Sequence, residues 1–201
     1  TICTGSSATL TANGGGTYAW SNGLGSNAQV SVSPTSQTTY TVTVTGANTC
    51  TATASKTVSV NQLPNAGING ANAVCTGSST QLTATGGASY SWSNSLGSNA
   101  QVSVAPSSQT TYTVTVTDGN SCTATASKTV TINQLPVVVA NASATTVCAG
   151  TSITLNGSNA ATYVWNNGVS NGIAFAAVNT TTYTVTGTDA NNCSATASVT
   201  V

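Results

Sequence analysis

The sequence predicts an all-β chain built as a tandem array of three small β-sandwich modules, and three observations carry that prediction. First, one spacing recurs three times: a Cys, a Tyr-x-Trp ending 17 residues later, a Thr-Tyr-Thr-Val-Thr run, and a second Cys. The marks are Cys3, Trp20, Tyr40 and Cys50, then Cys75, Trp92, Tyr112 and Cys122, then Cys148, Trp165, Tyr183 and Cys193. A period of 72 to 73 residues suits a module with its own core. Second, Tyr40, Val42 and Val44 alternate with Thr39, Thr41, Thr43 and Thr45, the period of two that puts apolar groups on one face of a strand and hydroxyls on the other. Third, turn residues punctuate each repeat, and no stretch offers a helical apolar period over three turns.

In order, repeat one reads as a strand over 8–12, a Gly-rich turn at 14–16, a strand through Tyr18 and Trp20, a polar turn, a strand over 29–33, and a turn over 34–38. Two hairpin strands follow, the second carrying Ala52, Ala54, Val58 and Val60 on its inward phase. They are joined at Gly46-Ala47-Asn48, where the other copies have Asp118-Gly119-Asn120 and Asp189-Ala190-Asn191. Residues 66–74 and 137–147 are placed to add a first strand to repeats two and three. About seven short strands per repeat indicate a sandwich; a β-solenoid, the other home of Thr-x-Thr rows, has a much shorter coil period. The expected domains are 1–62, 63–134 and 135–201.

Residues 21–44 and 93–116 differ at only three positions, whereas 166–187 keeps mainly the landmarks. Near-identical neighbours point to duplication within a longer array. The ends agree: Thr1 stands two residues before a repeat's first Cys, and Val201 stops where the other copies continue into Asn-Gln-Leu-Pro (61–64 and 133–136). The chain therefore reads as a section of a longer protein.

The chain holds 41 Thr and 27 Ser, but two Lys+Arg, two Asp+Glu and no His. Globular chains carry roughly 25% charged residues, so at 2% solubility must come from a hydroxyl-rich surface, expected to bear sugars. The same inventory argues against an enzyme. Acid–base work needs His, a tuned carboxylate or Lys, and only Asp118, Asp189, Lys56 and Lys128 are on offer, scattered through different repeats. No catalytic residue, cofactor site or metal site is expected, because Ser-His-Asp sets need a histidine and zinc or calcium sites need clustered ligands. Two lysines give nucleic acid almost nothing to bind, and the longest apolar run, residues 137–140, is too short to span a bilayer.

Six cysteines, two per repeat, point to an oxidising, extracellular compartment. They most simply pair within repeats: Cys3 with Cys50, Cys75 with Cys122, Cys148 with Cys193. An immunoglobulin-type topology would place these partners at opposite poles, too far for a Cα separation under ~7 Å; the first Cys of one repeat would then meet the second Cys of the following repeat. The three Trp read as core anchors rather than sugar platforms, and Tyr40, Tyr112 and Tyr183 as inward residues with the hydroxyl bonded near an edge. Lys56 and Lys128 fall on the inward phase near strand ends, where they snorkel to solvent. Asp118 and Asp189 are turn formers. Candidate glycosylation positions are the sequon residues Asn141, Asn156 and Asn179, with Thr38, Thr39, Thr110 and Thr111 for O-linked sugars; Asn192 heads a marginal sequon.

The text from Val74-Cys75-Thr76-Gly77-Ser78-Ser79 through Leu82-Thr83-Ala84, Tyr90-Ser91-Trp92-Ser93 and residues 111–117 to Asp118-Gly119-Asn120-Ser121-Cys122-Thr123-Ala124-Thr125 resembles the immunoglobulin-like and PKD-like tandem repeats of large bacterial cell-surface and secreted proteins, including those of gliding motility and adhesion. The resemblance covers nearly the whole chain. It implies immunoglobulin-like sandwiches serving as an extracellular stalk, adhesin or fibre, and it carries no catalytic residue. The chain departs from PKD repeats in having Ser93-Asn94-Ser95 where those have an acidic turn. It departs from antibody domains in having the second Cys ten positions, not two, after the Tyr. Two functions follow as expectations: a structural stalk or fibre that self-associates end to end, in which repeat one's missing lead strand would leave an edge open to strand addition, or an adhesin whose repeats contact glycans or other cells. Ice binding through outward Thr-x-Thr rows is a narrower form of the second.

Overall fold

The computed structural model describes residues 1–201, and every regular element is a β-strand. Repeat one contributes β1 (Ile2–Cys3), β2 (Ala8–Thr11), β3 (Thr17–Trp20), β4 (Gln29–Val32), β5 (Thr38–Thr45), β6 (Thr51–Val58) and β7 (Val60–Asn61). Repeat two contributes β8 (Gly67–Asn69), β9 (Ala73–Cys75), β10 (Thr80–Thr85), β11 (Ser89–Trp92), β12 (Gln101–Val104), β13 (Thr110–Thr117) and β14 (Thr123–Asn133). Repeat three contributes β15 (Val139–Ala142), β16 (Thr151–Ser158), β17 (Thr162–Trp165), β18 (Ala174–Ala177), β19 (Thr182–Thr188) and β20 (Ser194–Thr200). The periodicity-based strands of repeat one all form, within a residue or two at their ends.

The strand order identifies the sandwich. In repeat three one sheet runs β15-β16-β18 and the other β17-β19-β20. This is the immunoglobulin arrangement, with the first, second and fourth strands on one sheet and the third, fifth and sixth on the other. Repeat two has the same two sheets, β8-β10-β12 and β11-β13-β14, and β9 extends the second by running parallel to β14. Repeat one has β3-β5-β6 as its second sheet, β1 parallel to β7, and β2 paired with β4. The fold is thus a tandem set of immunoglobulin-like β-sandwiches.

The residues gather into two compact units: Thr1–Asn69 with Thr83–Gln101 and Thr113–Ser127, and Gly70–Leu82 with Val102–Tyr112 and Lys128–Val201. In the first, Leu10, Val30, Val32, Tyr40 and Val58 form a core against which Ile2, Ala8, Trp20 and Leu24 pack. In the second, Ile153, Leu155, Trp165, Ala177, Tyr183, Val185 and Val201 do so, with Phe175 edge-on to Tyr183 at a centroid distance of 5.3 Å. The period-two pattern explains both: alternate side chains of each strand meet between the sheets.

The tryptophans are anchors of these interiors. Trp92 and Trp165 are buried and Trp20 is half-buried. Each indole N–H finds an acceptor in the turn that follows: Asn27 O, Asn99 O and Asn171 Oδ1, all at 2.9–3.0 Å. Tyr40, Tyr112 and Tyr183 are buried as the alternation requires. The Tyr hydroxyls that bond back to backbone belong instead to Tyr90, which donates to Gly87 O, and Tyr163, which donates to Ala160 O. Ala52 and Ala54 keep the inward register opposite Val44 and Val42 yet remain exposed. A methyl group is too short to fill the space that a Val in that phase would close.

Candidate functional site

With no His and its few charges scattered, the chain builds its distinctive chemistry at the joints between repeats. Two disulfides lie there. Cys3 bonds Cys122 and Cys75 bonds Cys193, each with Cα atoms 5.6 Å apart, well inside the range a disulfide requires. The first bridge falls wholly within the first compact unit and the second within the second. Within-repeat pairing is therefore not what forms. The first Cys of a repeat bonds the second Cys of the following one.

Topology supplies the reason. In repeat one Cys3 is in register with Asn61, at the end of β7, whereas Cys50 directly precedes the start of β6 at Thr51, at the other end of the same extended run. The eleven residues from Cys50 to Asn61, at ~3.3 Å each, set them about 35 Å apart. The two cysteines of a repeat occupy opposite poles. Cys50 and Cys148 are exposed free thiols.

Each bridged cysteine is held from both sides by its local sequence. The hairpin turn that presents the second Cys bends through a left-handed residue, Thr49, Ser121 or Asn192, at φ 60°, 64° and 62°. In the two bridged turns one aspartate oxygen accepts two backbone N–H bonds at 2.8 Å: Asp118 Oδ1 from Asn120 and Cys122, Asp189 Oδ1 from Asn191 and Cys193. In repeat one Gly46 stands in that place, and Asn48 Oδ1 offers Cys50 N–H a longer bond of 3.3 Å. After the first Cys, Thr4 and Thr76 donate their hydroxyls to Asn61 O and Asn133 O, tying the entering strand to the leaving one. The aspartates were legible as turn formers, but their link to the cysteine amide was not, since nothing in the spacing states which N–H groups the turn leaves free.

The outward faces of the hairpins carry paired hydroxyls. Thr39 and Thr57, Thr41 and Ser55, Thr111 and Thr129, Thr113 and Ser127, Thr182 and Thr200, and Thr184 and Ser198 sit 2.8–3.0 Å apart. Sequence alone places these groups outward; only the strand register pairs them. Thr38 and Thr110 donate to Ser36 O and Ser108 O in the preceding turn. Asn141 and Asn156 are exposed and directly opposed across β15 and β16, and Asn179 is exposed in the loop before β19. Lys128 reaches the side-chain oxygen of Asn72 at 2.6 Å, while Lys56 lies exposed opposite Tyr40.

No group of three or more His, Cys, Asp or Glu side chains comes together, and no helix is long and apolar enough to cross a membrane. No protein-family model and no curated protein matches the chain. Among solved structures it is similar to a Ca2+-stabilized adhesin that helps an Antarctic bacterium reach out and bind ice, at 14% identity over 96% of this chain and 67% of that one, with a TM-score of 0.40. It is similar to a 1.5-MDa bacterial ice-binding adhesin at 18% identity, over 98% of this chain and 90% of that one, TM-score 0.36. Immunoglobulin domains 1–5 of Sidekick-1 match at 14% identity and TM-score 0.33, over 99% of this chain; the chain spans 56% of that structure.

Proposed function

We propose that the chain is an extracellular structural element, a stalk or fibre segment whose consecutive immunoglobulin-like modules are stapled to one another so that the array resists stretching. The observation that carries this is the pairing of Cys3 with Cys122 and Cys75 with Cys193. A within-repeat bridge would stabilise one module. A bridge from one repeat to the next adds a second covalent connection beside the peptide linker, over 62–66 at one joint and 134–138 at the other, and so fixes the joint itself.

The oxidising compartment follows from the bridges, and a hydroxyl-covered surface nearly free of charge suits a solvated, non-catalytic spacer. Covalent sugars belong to the same reading, with Asn141, Asn156, Asn179, Thr38, Thr39, Thr110 and Thr111 as their positions; mass spectrometry of native material locates them. The adhesin alternative loses its aromatic platform, because Trp92 and Trp165 are buried and Trp20 packs on a core. The deciding experiment stretches single molecules by their ends with and without a thiol reductant. A structural array of this design lengthens far less with its bridges intact; equal lengthening in both states would discard the reading.

A further inference from the structure

The exposed thiols Cys50 and Cys148 are the two unused halves of the joint that this chain makes twice. Cys50 is the counterpart of Cys122 and Cys193, and Cys148 of Cys3 and Cys75. In both internal joints a residue of one class is bonded to a residue of the other, never to its own. Bonding also changes the surroundings: Cys122 and Cys193 are 0% exposed, whereas Cys50 and Cys148 stand open to solvent.

Two surface features accompany the free thiols. Beside Cys50 lies a shallow depression lined by Gly14, Gly15, Val44, Ala52 and Ala54. Its Val44 is half-buried, while the matching Val116 of repeat two is fully buried. Beside Cys148, a second depression is lined by its neighbours Val147 and Ala149 with Val178, Asn179 and Val201, and Val178 is 64% exposed. Cys50 thus lines a concavity and Cys148 stands in the chain between two residues that line another, each on the pole whose counterpart in the internal joints is bridged.

We infer that these poles join two copies of the chain head to tail, with Cys148 of one copy bonded to Cys50 of the next. This rests on the structural reading above and names its partner, a second copy. The step is a thiol oxidation. The Cys148 and Cys50 thiols form one S–S bond, and their two electrons and two protons pass to a low-molecular-weight disulfide, which is cleaved to two thiols. The joint so formed repeats the internal one in its cysteine classes. Around it the covalent connection is short: only residues 123–147 separate Cys122 from Cys148, and residues 51–74 separate Cys50 from Cys75.

The test uses the purified full chain, oxidised with glutathione disulfide and analysed without reduction by electrophoresis and peptide mapping. The expected result is a ladder of multimers whose only new junction is Cys148–Cys50, with Cys3–Cys122 and Cys75–Cys193 intact. Cys50→Ser and Cys148→Ser should each abolish every species above the monomer, and an equal mixture of the two variants should yield a dimer carrying one Cys148–Cys50 junction. A chain that stays monomeric with both internal bridges intact overturns this inference while leaving the structural reading in place. Ladders joined through Cys50–Cys50 or Cys148–Cys148 overturn it as well. Loss of the internal bridges themselves would overturn the reading on which it rests.

Discussion

Asp118 and Asp189 each bind two backbone amides with one carboxylate oxygen, and one of those amides belongs to a bridged, fully buried cysteine. Hydrogen bonds to a charged acceptor contribute more than neutral ones, so Asp118→Ala or Asp189→Ala should destabilise its module by about 1–3 kcal/mol. Denaturant unfolding measures this, and faster reduction of the adjacent bridge by dithiothreitol would locate the effect at the joint. Ser95 offers the opposite case. It has φ 57° in the turn after Trp92, where the other repeats place Gly23 and Gly168 at φ 69° and 70°. A side chain in the left-handed region is strained, so Ser95→Gly should raise stability by about 0.5–1 kcal/mol despite the freer unfolded chain; a lower thermal midpoint would contradict that. Both aspartates were recognisable in the sequence as turn formers. Which amides they satisfy was not, because that depends on the hairpin geometry around them.

At the scale of elements, the hairpins were the most legible part of the chain. Thr-x-Thr alternation fixed which residues of β5, β13 and β19 face the core, and Tyr40, Tyr112 and Tyr183 are all buried there. The cross-strand partners are set by register, which the turn length imposes, and that register places Thr113 2.8 Å from Ser127. Exposed pairs of this kind interact weakly, so a double-mutant cycle of Thr113→Val and Ser127→Ala should return a coupling of about 0.2–1 kcal/mol. A coupling of zero would mean that solvent serves these hydroxyls as well as they serve each other. The parallel pairing of β1 with β7 and of β9 with β14 was not foreseen. Two or three residues carry too little pattern to announce a strand, and their partner lies 58 residues away along the chain.

For the whole molecule, the bridges rewrite the covalent route between its ends. The shortest path runs from Thr1 to Cys3, across to Cys122, back to Cys75, across to Cys193 and on to Val201. That is roughly 57 residue steps, or about 200 Å fully extended, against about 680 Å for the entire chain. Pulled by its ends, the oxidised chain should reach the shorter limit and the reduced chain the longer, in a single-molecule stretching experiment. The sequence by itself determined the repeat, the strands, the inward and outward faces, the poverty of catalytic groups and the expectation of bridges, because period, alternation and composition are local properties of the chain. Tertiary structure decided which cysteines meet. That choice depends on the poles to which the sandwich topology delivers residues far apart in sequence, and it makes four of the six cysteines staples between modules rather than within them.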